Sequence, residues 1–472
     1  MAQTLSAKKA ITLLVVSILI LFGGIVFIKA PSTIVLIASG IAAITLSLLW
    51  GIKWDKIEKD IIENLRAMLI PILILLSVGM LIGAWMLSGT IPIIVYYGMT
   101  FLNPSIFLLV TALACAFMSV MAGTSWGTIG TVGVALMGVS AGLGIPLHYT
   151  AGAIVVGAIF GDKLSPLSDS TVMTSAVTDV NLVEHIRHLL YTTIPGFVIS
   201  LILYFVLGFQ FDGQSVNKEN VNMILSTLDA HFNLNPILFL PPVVVLVLIY
   251  MRKPTLPVFG VGILLGCVIS IIFQGRGILD IANVLNEGFT HATKVEVVDQ
   301  ILQRGGLSSM LETVALLIAA AVFGSPLQTA GVVGIILDGI KKLAKQSKSM
   351  MLSCLTLHGL FFTITGSYYV SYAVLGPMLK TLYDKYGLHR KNLSRTMEDT
   401  GTAFAPMIPW SVTGAFIVNT LGVPVKDYIL YSPMVYLGVV FALIYIFTGY
   451  GIAKAVPDGK LDAKQERVTQ NM

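Results

Sequence analysis

Asp162, Lys163 and Asp169 fall close together in the stretch GDKLSPLSDST (161–171), among the hydroxyls of Ser165, Ser168, Ser170 and Thr171. No Asp, Glu, Lys or Arg occurs between Ala67 and Gly161. Pro166 has no backbone N–H and drives Ser165 out of the α region, so the stretch must interrupt a helix. Carboxylates, hydroxyls and freed carbonyls form an all-oxygen set, which suits a hard monovalent cation such as Na⁺. Na⁺ is therefore expected at Asp162 and Asp169, among several hydroxyls. Two plainer uses stay open. Asp162 and Lys163 can pair with each other, and Asp169 can cap a helix that begins at Ser170.

The elements that position these residues must cross a membrane. Of 472 residues, 56% are hydrophobic and 11% charged, against about 25% charged in ordinary soluble proteins. Mean hydropathy is +0.88, and several apolar runs reach the ~20 residues that span a hydrocarbon core. The fold class is an all-α polytopic membrane protein. Basic residues gather at the ends of apolar runs, as the positive-inside bias requires, so the net charge of +5 points to no nucleic-acid partner. Cys115, Cys267 and Cys354 lie in apolar segments and suggest neither a disulfide framework nor a metal site. The run 11–27 after Lys8 and Lys9 exceeds the length of a signal-peptide core and counts as the first span.

Threading from a cytoplasmic N-terminus places every basic cluster on one side. The loop 51–66 reads as a short amphipathic helix at the interface, and 211–235 as a polar external linker. Two paired-arm elements are expected, at about 104–142 and 350–379, with tips AGTSWGT and TGSYY. The count is about 10 full spans plus two re-entrant hairpins, or about 12 spans if the hairpins cross. Broken crossings fall at 150–178 and 396–420, the second at GTAFAPMIPW. The lysines expected to end the segment 328–345 include Lys341 and Lys342, and the tail 454–472 is expected to be cytoplasmic.

The segments 1–210 and 236–453 match in kind, and an odd number of crossings in each makes them inverted-topology repeats. Gly161 and Pro166 echo Gly401 and Pro406, and Gly123-Thr-Ser echoes Gly366-Ser. The hairpin tips then bring Thr124, Ser125 and Ser367 to the midplane. The second break has Thr402 and Pro409 where the first has Asp162 and Asp169, so its half-site is expected to differ. Asp399 and Glu398, just before that break, can bind an ion or cap a helix start at the cytoplasmic surface. The second-repeat candidates are Ser367, Asp399 and Thr402.

The motifs GTSWGT and GAIFGDKLSPLSDST resemble those of the NhaC family of Na⁺/H⁺ antiporters, within the ion transporter superfamily. The resemblance implies secondary antiport of Na⁺ against H⁺ without a cofactor, by alternating access in the plasma membrane. It points to Thr124, Ser125, Asp162, Ser165, Ser168 and Asp169. Some relatives exchange malate with lactate, so a Na⁺- and H⁺-coupled carboxylate antiporter is the alternative. Lys163 would serve an anion site there, or simply neutralise Asp162. Partners are Na⁺, H⁺ and membrane lipid, with malate or lactate as alternative cargo; a homodimer is left open.

Other residues have weaker claims. His358 can relay protons or pack; His185 and His188 lack further metal ligands; Glu312 faces the external interface. An intramembrane aspartyl protease would need an Asp after Tyr, and neither Asp162 nor Asp169 follows one. The chain is expected not to be an enzyme.

Overall fold

The computed structural model describes residues 5–211, 218–251, 253–332, 334–335, 338–339 and 345–455. Long apolar runs in lipid have no water to satisfy their peptide groups, so the chain satisfies them within helices. In order these are α1 (Ala7–Phe22), α2 (Ser32–Leu49), α3 (Trp54–Leu87), α4 (Thr90–Phe101), α5 (Pro104–Ala122), α6 (Ser125–Leu143), α7 (Leu147–Leu164), α8 (Asp169–Thr178) and α9 (Leu182–Gly208). Then come α10 (Lys218–His231), α11 (Leu240–Tyr250), α12 (Thr255–Gln274), α13 (Ile278–Glu287), α14 (Glu296–Leu302) and α15 (Leu311–Thr329). The last five are α16 (Ser347–Thr365), α17 (Tyr368–Lys385), α18 (Lys391–Thr400), α19 (Val412–Leu421) and α20 (Pro433–Thr448). Among the described residues 9 segments are long and apolar enough to cross a membrane, or up to 11 with two bent pairs included. The protein is an all-α polytopic membrane protein.

Two expectations need correction. The stretch 51–66 does not lie on the surface as a separate helix. It is the first half of α3, which runs 34 residues without a break, about 50 Å at 1.5 Å per residue. No glycine or cap separates its polar and apolar halves, and its polar half is held against α15. Asn64 donates to Ser325 at 2.8 Å, and Thr329 donates to Asp60 at 2.5 Å. The linker 211–235 likewise contains a helix, α10, which buries Ile224 and Leu228. Residues 212–217, Arg252, Lys341, Lys342 and the tail 456–472 lie outside the described residues.

Packing is reciprocal between the halves. In the first, α3 packs on α12; in the second, α15 packs on α2; and α3 and α15 pack on each other. Small residues permit the close crossings, as membrane helices require. A Cβ on Gly40 would stand 3.2 Å from the Phe323 backbone, and one on Gly157 would meet the Ala112 carbonyl at 2.3 Å. Two 19-residue helices, α5 and α16, each lead into a hairpin tip and end in a left-handed glycine, Gly123 or Gly366. A side chain at either glycine would be strained by its φ of +65° or +67° and would also strike Leu167 or Trp410.

Candidate functional site

The first hairpin tip and the first break meet because α7 lies against α5. A Cβ on Gly161 would stand 2.5 Å from the Ala116 carbonyl, so only glycine allows this depth of contact. Asp162, the next residue, is thereby brought level with the tip. Ser125 donates to Asp162 Oδ2 at 2.7 Å. The Ser168 hydroxyl and the Ser125 backbone N–H also approach this carboxylate. Asp162 Oδ1 is buried with no hydrogen-bond partner among the described residues. Thr124 accepts from the Gly127 N–H at 3.3 Å and so starts α6.

The break itself is short and closed by its own hydroxyls. Helix α7 ends at Leu164, two residues before Pro166. Ser165 donates to the Val120 carbonyl at 2.8 Å and accepts from the Leu167 N–H at 3.2 Å. Ser168 is the N-cap of α8, accepting from the Thr171 N–H at 3.4 Å. Asp169 is therefore the first residue inside the helix rather than its cap, although it does accept from the Ser170 N–H at 2.9 Å. Its other oxygen accepts from Tyr369 of the second hairpin, whose hydroxyl also lies 3.2 Å from that of Tyr368. Asp169 is near enough for its charge to act on Asp162.

Lys163 and Asp162 do not pair. Neighbours on a helix diverge by about 100°, and Lys163 turns toward the second half, where its ammonium meets Asp399 Oδ1 at 2.7 Å. Thr192 of α9 donates to the same oxygen at 2.9 Å. Asp399 and Glu398 are fully buried and stand at the C-terminal end of α18, so neither caps a helix start at the surface. The negative end of the helix dipole disfavours carboxylates there, and Lys163 and Thr192 offset that for Asp399. Glu398 is met by Thr174 of α8, 3.0 Å from Oε1.

The remaining second-half candidates take other places. Thr402 shares a 2.7 Å hydrogen bond with the Tyr372 hydroxyl, which also accepts from the Thr402 N–H at 3.0 Å. Ser367 is buried at the second tip with no partner for its hydroxyl among the described residues. His358 bonds Thr400 at 2.7 Å through Nδ1, and its Nε2 has no partner among the described residues. His185 bonds Ser394 at 2.8 Å, and the described residues contain no group of three His, Cys, Asp or Glu that could hold a metal ion. Glu312 is exposed and lines a cavity of about 360 Å³ with Lys426, Asn419 and Pro409 of the second break.

The spacing of the sequence echoes also changes. One constant step relates Gly123 to Gly366, Thr124 to Ser367, and the capping Ser168 to the capping Ser411. On that step Asp162 and Asp169 correspond to Ala405 and Val412, not to Thr402 and Pro409. The second break carries no acid on either alignment. Sequence reading missed Tyr369, Thr174 and Thr192 as partners of the buried carboxylates. Tyr369 had a signal, two positions beyond Ser367 at a hairpin tip; a threonine in a helix has none.

The Na⁺/H⁺ antiporter family model matches residues 1–179 and 157–450. The malate-2H(+)/Na(+)-lactate antiporter of Bacillus subtilis is 38% identical over 424 residues, which is 90% of this chain and 91% of that protein. The Na(+)/H(+) antiporter NhaC of Alkalihalophilus pseudofirmus is 38% identical over 406 residues, 85% of this chain and 87% of its own. The arginine/ornithine antiporter ArcD of Halobacterium salinarum is 35% identical over 411 residues, 87% of this chain and 85% of its own. With both halves and both hairpin motifs inside these matches, the chain belongs to the Na⁺/H⁺ antiporter family.

Proposed function

We propose that the protein exchanges Na⁺ for H⁺ by alternating access, with Asp162 as the carboxylate the two ions share. One observation carries this reading: Asp162 is buried, one oxygen is held by Ser125, the other has no partner among the described residues, and the adjacent lysine is engaged elsewhere. A charged carboxylate inside a membrane costs about 2.5–3.5 kcal/mol even on insertion scales. It must therefore hold either a proton or a cation, and competition between them is exchange. Asp169, Ser125, Ser165, Ser168 and Thr124 supply further oxygens around the break, and Na⁺ is the cargo.

The reciprocal packing of α3 with α12 and α15 with α2, and the constant step between tips and caps, support inverted repeats at 1–210 and 236–453. Rocking of one against the other would open the site alternately to each side. The basic flanks favour a cytoplasmic location for both termini. The cavity that reaches Pro409 past Glu312 and Lys426 is then an external approach.

The relative named for malate and lactate favours a carboxylate exchanger as a second reading. That reading needs a cation free to meet an anion. Lys163 is taken by Asp399, and Arg395 donates to the Gly451 carbonyl at 3.0 Å. The ion exchanger is thus the better reading. In proteoliposomes, an external Na⁺ jump should make the interior alkaline without malate or lactate. Asp162→Asn should slow this by about 100-fold or more, since removing one member of a buried charged set costs ~3–5 kcal/mol. Wild-type rates in Asp162→Asn would refute the assignment, and flux that requires malate or lactate would favour the second reading.

A further inference from the structure

We infer that Arg304 anchors an anion site that takes a small monocarboxylate, in a cavity between α3 and the last turn of α19. The inference goes beyond the sodium–proton reading and does not rest on it, because none of Asp162, Asp169, Glu398 and Asp399 lines this cavity.

The argument begins with three glycines. Gly288, Gly305 and Gly306 all lie in the left-handed region, at φ +89°, +86° and +82°. A Cβ on Gly288 would stand 2.5 Å from the Gly305 carbonyl, and one on Gly305 would stand 2.5 Å from the Gly83 nitrogen. The Gly306 N–H donates to the Gly79 carbonyl at 2.7 Å. Gly79 and Gly83 belong to the apolar length of α3, Met68–Leu87. At 1.5 Å per residue, Gly79 is about 12 Å short of the end of that helix. The turn before the Leu307–Met310 helix is therefore sunk beside an apolar span. Non-helical backbone holds such a place only against protein or a water-filled cavity. This turn brings an arginine with it.

Arg304 is partly buried and has no acid as partner. Its Nη1 donates to the Thr420 carbonyl in the last turn of α19, at 3.1 Å. A Cβ on Gly422, just past that helix, would be only 3.6 Å from the guanidinium nitrogens. Among the described residues no carboxylate pairs with Arg304, and no charged group acts on it. A guanidinium has five N–H donors, so the contact with α19 leaves most of them unspent. An arginine at this depth is costly without a counter-charge, and such residues mark binding sites.

The cavity tells which anion fits. Arg304 lines a space of about 390 Å³, with Ile82, Phe289 and Met310 as an apolar wall and the amides of Gln303 and Asn419 as neutral polar groups. Asn419 also lines the cavity that reaches Pro409, so the two spaces adjoin across α19. The planar fork of a guanidinium matches a carboxylate through two parallel N–H bonds. Glu287 is the acid in the lining. Its charge opposes a second negative charge on the ligand, and it forms no ion pair with Arg304 among the described residues. A short apolar body carrying one carboxylate satisfies the wall, the fork and the acid together.

The test is equilibrium binding of radiolabelled propionate to the purified protein in detergent, with Na⁺ and ionic strength held constant by chloride. Wild-type protein should bind propionate saturably and in preference to succinate or phosphate. Arg304→Gln should weaken that binding about 10- to 100-fold, as loss of hydrogen bonds to a charged group does. The same variant should still exchange Na⁺ for H⁺ in proteoliposomes, which shows it is folded. Glu287→Gln should narrow the preference for propionate over succinate several-fold. Absence of saturable propionate binding, or unchanged binding in Arg304→Gln, overturns the inference. Succinate or phosphate bound by wild type as tightly as propionate overturns it too. If Arg304→Gln does not fold, Glu287→Gln decides, and an unchanged preference there overturns the site.

Discussion

The two helix breaks solve one problem in different ways. Between Leu164 and Asp169 the first needs only four residues, 165–168, because Ser165 and Ser168 satisfy the backbone on either side. Between Thr400 and Val412 the second needs 11, 401–411, with a tight turn at Ala405–Met407. There Ser411 donates to the Ala405 carbonyl and Tyr428 to the Pro406 carbonyl, each at 2.7 Å. The first break has carboxylates at both of its edges. The second has none within it and places Glu398 and Asp399 in the last turn before it. The consequence is exchange of partners: the first half lends Lys163 to Asp399, and the second lends Tyr369 to Asp169. Two unequal breaks are thus tied together by exchanged side chains.

The largest effect should come from breaking the Lys163–Asp399 pair. Lys163→Gln or Asp399→Asn alone leaves a buried charge without its partner, at a cost of about 3–5 kcal/mol. The double substitution removes both charges and should recover a large part of that loss, with a coupling of roughly 0.5–3 kcal/mol in a double-mutant cycle. Denaturant or thermal unfolding in detergent measures it. Additive losses would mean that the two halves are not joined through this pair.

This pair also marks where the sequence stopped being informative. The fold class followed from composition and run length, and the first break from Pro166 among acids and hydroxyls. Asp162 and Ser125 meet as expected, because a glycine-lined crossing and a glycine-capped tip both leave local marks. Lys163 was open to the wrong partner because Asp162 is its neighbour in sequence, whereas Asp399 arrives from the other half. Glu398 and Asp399 looked like surface groups because Arg395 precedes them, yet Arg395 is itself buried against Tyr445 and the Gly451 carbonyl. The Pro406 echo misled for a related reason. The second break starts earlier and runs longer, so the glycines before the breaks slip, while on the step that relates the capping Ser168 to Ser411 Pro166 corresponds to Pro409 rather than Pro406.

A smaller effect should follow from Tyr369→Phe, which removes the hydroxyl that the second hairpin donates to Asp169. A hydrogen bond to a charged group is worth about 1.5–3 kcal/mol, so the Na⁺ concentration giving half-maximal exchange should rise about 10- to 100-fold. Tyr368→Phe should do much less, since the Tyr368 hydroxyl meets Tyr369 and not the carboxylate. Equal effects of the two would make the tyrosine pair a packing element and return Asp169 to the first half alone.

The smallest effect belongs to the surface link between the halves. Asp179 follows α8 in the left-handed region at φ 53°, which Asp and Asn tolerate better than most residues. It meets Lys380 at 2.6 Å and Arg390 at 2.7 Å, and Arg390 also grips Asp384 at 2.8 and 2.9 Å. Lys380 and Arg390 hold the Asp179 carboxyl below the usual carboxylate range, and Arg390 does the same for Asp384. A depressed carboxylate stabilises the folded form above its unfolded value, and that contribution is lost as pH falls through the lowered folded value. The link is therefore intact at neutral pH and fails only in acid. Asp179 is about half exposed, and exposed pairs contribute only about 0–1 kcal/mol and are screened by salt. Asp179→Asn keeps the backbone conformation and removes the charge, so exchange at neutral pH should change less than about 5-fold. The difference from wild type should shrink further at high ionic strength, with rates measured in K⁺-free choline salts of increasing concentration. A large loss that salt leaves unchanged would show that this outer link, and not the buried Lys163–Asp399 pair, governs how the halves move together.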